Sequence, residues 1–514
     1  MPIERPDLAA LSRIAADYRL GIDPEDLSVY HAVSHGLLES WDIVEGLYAE
    51  IAPKVPDRQW SRPADEDNPL GAWYVKTEVQ RSSGGPLAGR RVAVKDNTNV
   101  AGVPMMNGSR TVEGFVPGED ATVVSRLLEA GAIIAGKAVC EDLCFSGGSH
   151  TCKTGAVGNP WDPSRSAGGS SSGSAVLVAT GEVDLAIGCD QGGSIRMPAS
   201  WTGMVGHKPT FGLVPYTGAF PIEQSIDHIG PISRTVADAA LMLSVIAGVD
   251  GRDPRQPTVL DDVDFLAALS QDATGLRIGV VTEGFGHDNS EPEADATVRA
   301  AVETLRSAGL VAEEVSVPWH RHGAAIWDVI SVEGAAWQLI DGNAYGLNWK
   351  GHYDPALMAH YGEKWRAEPK NFSETVKLLV LSGRHALQRG YGSHYAMARN
   401  LEASLTAAYD EALARFDVLV MPTMPMRPTV IPDPDAPVGE VVGRALEMIA
   451  NTCPFDVTGH PACSVPAGVS DGLPVGMMII GRKFDDATVL RVAHALETAS
   501  GGFPKPPTLA RSNA

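Results

Sequence analysis

Along the first fifty residues, apolar positions recur at three- and four-residue spacing, as in "DLAALSRIAADYRL" and "VYHAVSHGLLESWDIVEGLYAEI". That period predicts helices. The following "APKVPDRQWSRPADEDNPLG" breaks it with prolines and charges and reads as a linker. From about residue 88 the pattern becomes short β-rich runs alternating with helical ones. "RRVAVK", "AIIAGK", "VDLAIG", "LRIGVV", "FDVLVMP" and "LPVGMMIIG" predict strands, and "ATVVSRLLEAG", "EADATVRAAVETLRSAG" and "DATVLRVAHALETA" predict helices. The alternation predicts an α/β core with a largely parallel or mixed sheet. Residues from about 320 to 425 return to helical spacing, richer in Tyr and Trp, and predict a cap inserted over that core. The expected organisation is an N-terminal helical domain with its linker over residues 1–70 and a larger α/β domain over 71–514, with no internal repeat.

Composition narrows the classes of function. With 514 residues, 44% apolar and 20% charged, the chain is that of a globular protein with ample core. Its 41 basic against 63 acidic residues leave a formal charge of −22, which repels nucleic-acid phosphates and anionic membrane surfaces. A small-molecule partner is expected, with neither nucleic acid nor membrane. The opening residues lack a signal-peptide pattern, and no segment approaches the ~18 apolar residues of a membrane span. Six cysteines in mostly apolar or glycine-rich runs fit a reduced, cytoplasmic chain. Cys140, Cys144, His150 and Cys152 lie close in sequence, but their spacing matches no C-x2-C pairing and no metal is expected.

Three glycine-rich stretches compete as the chemical centre. "GAIIAGKA" (131–138) nearly matches a phosphate-binding loop, but Ala138 stands where a hydroxyl is needed and the stretch follows a helix. "GSSSG" (169–173) fits the G-x-S-x-G elbow with Ser171 as nucleophile, yet a loop, "NPWDPSRSAG", precedes it where a buried strand is required. "GCDQGGSIRMPAS" (188–200) has a joint explanation. Gly192 and Gly193 let backbone N–H groups approach a substrate carbonyl closely, which puts Ser194 beside an oxyanion hole. A serine attacking an amide needs a base, and no histidine serves here. Lys95, at the end of "RRVAVK", can be that base if burial lowers its pKa, although an ion-paired strand end is the plainer reading of it. His150, His207, His228 and His460 form no metal or catalytic pattern and read as structural.

Together, "VAVKDN" at Lys95, "AGGSSSGSA" at Ser170 and "DQGGSIRMPA" at Ser194 closely resemble the amidase signature family. The match continues through "GHKPTFGLVPYTGAFPIEQSIDHIGPISRTVADAALML" and "NTCPFDVTGHPACSVPAG", covering roughly residues 70–500. Gln191 and the N-terminal helical extension look most like the enantioselective amidases associated with nitrile hydratases. The resemblance implies an α/β fold with a central mixed sheet flanked by helices, and a Ser–Ser–Lys triad. In that triad Ser194 is the nucleophile, Ser170 the bridge, on a cis peptide, and Lys95 the terminal base. Gln191, Gly192 and Gly193, with Ser194 itself, supply the oxyanion N–H groups. Asp190 and Arg196 are expected either to pair across the loop and fix it or to form a surface pair of no catalytic weight.

The resemblance further implies an amidase forming an acyl-enzyme without metal or organic cofactor, acting on a small-molecule amide, as a homodimer joined through the N-terminal helices. Phe145, Trp327 and Ile449 are the expected lining of a bulky apolar, aromatic acyl pocket; the alternative for each is ordinary core packing. An ester, carbamate or hydrazide hydrolase with the same triad, and a glutaminase component of a tRNA-dependent amidotransferase, are the competing functions.

Overall fold

The structure, a computed structural model, describes residues 3–261 and 263–507. The chain divides into two compact units, Met1–Val55 and Pro56–Ala514. The first holds two helices, Leu8–Asp17 and Pro24–Ile51. Asp7 caps the shorter one, its carboxylate accepting from Ala10 N at 2.7 Å. Pro24 opens the longer one, with Glu25 and Asp26 complementing the positive end of its dipole. Neither helix buries a residue, and Val29, Val33, Leu37, Trp41 and Val44, at three- and four-residue spacing on the longer helix, are all exposed.

The second unit is built on one sheet. Its strands in chain order are β1 (Trp60–Ser61), β2 (Trp73–Val79), β3 (Arg91–Lys95), β4 (Ile133–Ala138), β5 (Leu185–Asp190), β6 (Val205–Lys208), β7 (His228–Ser233), β8 (Arg277–Val281), β9 (Val311–Val315), β10 (Val418–Pro422), β11 (Ala462–Ser470) and β12 (Leu473–Ile480). They lie in the order β1-β2-β4-β3-β5-β7-β6-β11-β12-β10-β8-β9. β3 pairs in parallel with β4 and β5, and β8 with β9 and β10, while the remaining neighbours are antiparallel, so the sheet is mixed. All six runs expected to be strands are strands. The sequence reading missed β1, β2, β6, β7, β9 and β11, because runs such as "VGHK" and "HIGPIS" place Gly, Pro, His or Ser among buried positions and show no alternation.

Helices Thr122–Glu129, Pro292–Ser307 and Asp486–Ala499 stand where the apolar period places them. The helix-rich stretch runs through His320–Ala335, Pro355–Ala367, Glu374–Gly390 and Ser393–Leu413, after which the chain enters the sheet as β10. It forms no compact unit of its own. Leu339, Tyr361, Val376 and Leu379 share one apolar cluster with Phe115, Leu143, Phe145 and Phe220, which seats these helices on the loops at one end of the sheet. Because β3 and β5 are parallel neighbours, Lys95 and Asp190, the last residues of the two strands, both lie at the carboxyl ends of adjacent strands, where ligand sites of parallel strands form.

Candidate active site

Lys95, the last residue of β3, is fully buried, and its Nζ donates to Ser170 Oγ at 2.8 Å and to the carbonyl of Cys189, on β5, at 3.1 Å. The adjacent Asp96 is not its partner: that carboxylate pairs with Lys137 on β4 at 3.0 Å and accepts from Met106 N and Asn107 N. Ser170 precedes the helix Ser172–Thr180, and the Gly169–Ser170 peptide is cis. Gly169 donates to Gly147 O at 2.7 Å, and a Cβ on it would lie 2.2 Å from Gly148 O, so only glycine fits. Glu141 holds the loop from beneath. Its N–H donates to Ser170 O at 3.2 Å, and its carboxylate accepts from Thr151 N, Thr151 Oγ1 and Ser172 Oγ. Burial pushes that carboxyl up to about 7. Ser171 faces away: its hydroxyl donates to Cys189 O at 3.2 Å and accepts from Cys189 N at 3.3 Å, so the elbow reading has no free nucleophile.

The protonation of Lys95 differs from the simple expectation that burial lowers it. Burial does act that way, but the thiols of Cys144, Cys189 and Cys140, when ionised, push it above the ordinary lysine range. Burial itself raises Cys189 to about 11 and Cys140 well above its usual value, which keeps both protonated near neutral pH. Cys144 alone is low, at about 7; burial opposes ionisation, but the Cys140 hydrogen bond and the Lys95 charge outweigh it. An ionised Cys144 thus favours the charged form of Lys95, whereas burial favours the neutral amine that can act as a base.

Ser194 lies in the loop between β5 and the helix Arg196–Thr202, in the wall of a small chamber. The loop is held by a buried charge network. Asp190 accepts from Gly193 N at 2.5 Å and Ile195 N at 3.0 Å and pairs with Arg196 at 2.9 Å. Arg196 reaches on to Asp456 at 2.7 Å and to the Thr452 carbonyl at 2.8 Å. Of the two carboxylates around this guanidinium, Asp190 holds the charge: burial opposes it, but Arg196 brings it well below the usual range. Asp456 is driven up by burial and by Asp190. The pair is wholly buried, not a surface contact.

Of the N–H groups expected to bind an oxyanion, not all are free. The single hydrogen of Gly193 N is spent on Asp190, whereas Gln191, Gly192 and Ser194 donate from N–H to no loop or side-chain acceptor among the described residues. Two side chains orient the peptides. Trp327 Nε1 donates to Gln191 O at 2.6 Å, and Thr452 Oγ1 donates to Gly192 O at 2.6 Å. The first contact turns the N–H of Gly192 to the opposite side of its peptide plane, and the second turns that of Gly193 toward Asp190. A Cβ on Gly192 would lie 2.6 Å from the Trp327 ring, and one on Gly193 2.3 Å from Thr452 Oγ1. Close approach requires glycine at 192, and at 193 the backbone φ of +135° requires it as well.

Phe145, Trp327 and Ile449 all line the chamber; Met197, Ile222, Ile226 and Leu446, which sequence reasoning did not single out, complete its apolar wall. No charged side chain among the described residues borders it. As it stands the chamber offers about 30 Å³, and Phe145, Trp327, Leu446 and Ile449 divide it from an outer hollow of about 450 Å³. The remaining candidates lie elsewhere. His207 bonds Asp486, His460 bonds Asp410 and Thr458, His228 bonds the Ile226 carbonyl, and His150 bonds the Val441 carbonyl. Cys140 and Cys144 both donate to Asn107 Oδ1 while Cys152 bonds Thr154, and no metal-binding cluster occurs among the described residues.

The family model named Amidase matches residues 64–490. An enantioselective amidase of Rhodococcus rhodochrous is 56% identical over 470 residues, 91% of this chain and 90% of that one. Among solved structures, a glutamyl-tRNA(Gln) amidotransferase component from Thermotoga maritima superposes with a TM-score of 0.71 at 32% identity, covering 85% of this chain and 91% of its own. The peptide amidase of Stenotrophomonas maltophilia superposes with a TM-score of 0.68 at 30% identity, covering 82% and 85%.

Proposed function

Because the chain belongs to the amidase family and is an amidase hydrolysing carboxylic acid amides, we propose that it does so through Ser194, Ser170 and Lys95, releasing ammonia by way of an acyl-enzyme. The observation that carries this reading is the 2.8 Å bond from buried Lys95 to Ser170 beside the chamber that Ser194 lines. Ser194 Oγ attacks the amide carbon as its proton passes to Ser170 and the Ser170 proton passes to neutral Lys95. The oxyanion is held by the N–H groups of Gln191, Gly192 and Ser194. When the C–N bond breaks, its electrons stay with nitrogen, which takes a proton back through Ser170 and leaves as ammonia. Water then enters along the same proton path and releases the acid.

The uncharged wall of Phe145, Trp327, Ile449 and their neighbours supports a bulky apolar acyl group. The exposed apolar stripe of the helix Pro24–Ile51 supports a homodimer joined through it. Six free, buried cysteines support a cytoplasmic location, and no helix among the described residues is long and apolar enough to cross a membrane.

The test is kinetic. Ser194→Ala abolishes acyl-enzyme formation in mass spectra, and Lys95→Ala and Ser170→Ala each lower kcat by about 10³-fold or more with the fold intact. Turnover that survives in Ser194→Ala refutes the assignment. A panel of benzamide, acetamide, glutamine, and the ester, carbamate and hydrazide of benzoic acid tests the substrate: acetamide or glutamine outpacing benzamide in kcat/KM overturns the apolar acyl pocket.

A further inference from the structure

Gln191 is nearly fully buried in the chamber wall, and only half of its side-chain amide is satisfied. Its Nε2 donates to the Tyr216 hydroxyl at 3.0 Å. That hydroxyl gives its single hydrogen to the Phe220 carbonyl at 3.3 Å and accepts from Asn97 Nδ2 at 3.3 Å. With its hydrogen committed, Tyr216 can only accept from Gln191, so the amide is fixed with NH₂ toward Tyr216 and oxygen away from it. Gln191 Oε1 is left buried without a hydrogen-bond partner among the described residues. Leaving such a group unpaired is costly. The backbone of the same residue is tied by Trp327, so the side chain is carried on a clamped peptide next to the free N–H groups of the oxyanion loop.

We propose that Gln191 Oε1 accepts a hydrogen bond from the N–H of the substrate carboxamide, making Gln191 a specificity-determining residue that selects primary amides over esters. This rests on the assignment of Ser194 as nucleophile above. A primary amide held with its carbonyl oxygen toward the loop N–H groups presents NH₂ as the complementary donor, and the vacant acceptor in the wall is matched to it. An ester presents an oxygen with lone pairs only, which would face the lone pairs of Oε1 and leave both unpaired. A site built to bond an N–H rejects the analogue lacking it more strongly than an apolar pocket rejects a misfit. The preference grows during the reaction. As the C–N bond breaks and nitrogen takes the Ser170 proton, the departing group becomes a richer donor, and Oε1 holds it better in the transition state than in the ground state.

Matched substrates of equal acyl group, 4-nitrobenzamide and methyl 4-nitrobenzoate, test the idea with full-length enzyme. Gln191→Met keeps the length of the side chain and removes the acceptor, and Gln191→Thr is a second, smaller replacement should the first fail to fold. The amide-to-ester ratio of kcat/KM is expected to fall by about 10–100-fold in either variant, mostly through the amide. A parallel loss on both substrates, with an unchanged ratio, means that Gln191 only supports the loop and overturns the proposal, as does an unchanged amide rate. Failure of the underlying mechanism is distinguishable, because it shows as turnover in Ser194→Ala whatever the Gln191 variants do.

Discussion

At the scale of single residues, the site depends on side chains that support the reacting groups. Trp327 lines the chamber, and its indole N–H also donates to the Gln191 carbonyl and so aims the neighbouring N–H. Trp327→Phe keeps an aromatic wall and deletes that donor. Turnover of benzamide is expected to fall about tenfold or more, in kcat more than in KM, because the lost bond orients a donor used in the transition state; a change confined to KM makes Trp327 a wall only. Glu141, beneath Ser170, is pushed up to about 7 from an ordinary 4.5 by burial. A carboxyl raised on folding contributes stability that is fully present below pH 4.5 and is lost as pH rises through 7, about 3 kcal/mol in all. The melting temperature is therefore expected to decline between pH 5 and pH 8, and Glu141→Gln, which cannot ionise, to flatten that decline. Asp142, raised to about 6 by burial, adds a smaller slope of the same sign. A variant whose slope matches the unaltered protein removes Glu141 as the cause.

At the scale of elements, the decisive piece is the turn from β5 into the helix Arg196–Thr202. Asp190 ends the strand, caps the turn by accepting from Gly193 and Ile195, and holds Arg196, which in turn grips the Thr452 carbonyl and Asp456. One carboxylate thus sets both the shape of the oxyanion loop and the position of the 452–456 segment. Asp190→Asn leaves a buried guanidinium short of its ionised partner, and breaking such a pair costs about 3–5 kcal/mol. The expected outcome in urea titration is a midpoint shift corresponding to that loss. Under conditions where the variant is still folded, turnover is expected to be lower by about 10²-fold or more, since the loop N–H groups lose their alignment. Normal turnover in a destabilised variant would separate the network from the loop geometry.

At the scale of the whole molecule, the N-terminal unit poses the main question. Its two helices have no buried residue, and Val29, Val33, Leu37, Trp41 and Val44 form an exposed apolar stripe on the longer one. Such a face is stable only when covered. A dimer is expected in sedimentation of the full chain and a monomer after removal of residues 1–55; a truncated chain that still sediments as a dimer assigns the contact to the larger unit.

Much of this protein was legible from local pattern. The resemblance of their motifs to the amidase signature family pointed to Lys95, Ser170 and Ser194, and short β-rich runs and the 3.6-residue period located six strands and the main helices. Local chemistry suffices there, since a strand buried on one sheet and a glycine-rich turn each leave a mark within a few residues. What the sequence could not supply was set by contacts between distant segments. That Gly193 N–H is consumed by Asp190, that Trp327 and Thr452 orient the loop from 136 and 260 residues away, and that three thiols surround the Lys95 amine all follow from which groups meet in the packed core. Those meetings depend on sheet order and burial, and neither a hydrogen-bond partner nor the electrostatic cost of an unpaired buried group is encoded in any one stretch of the chain.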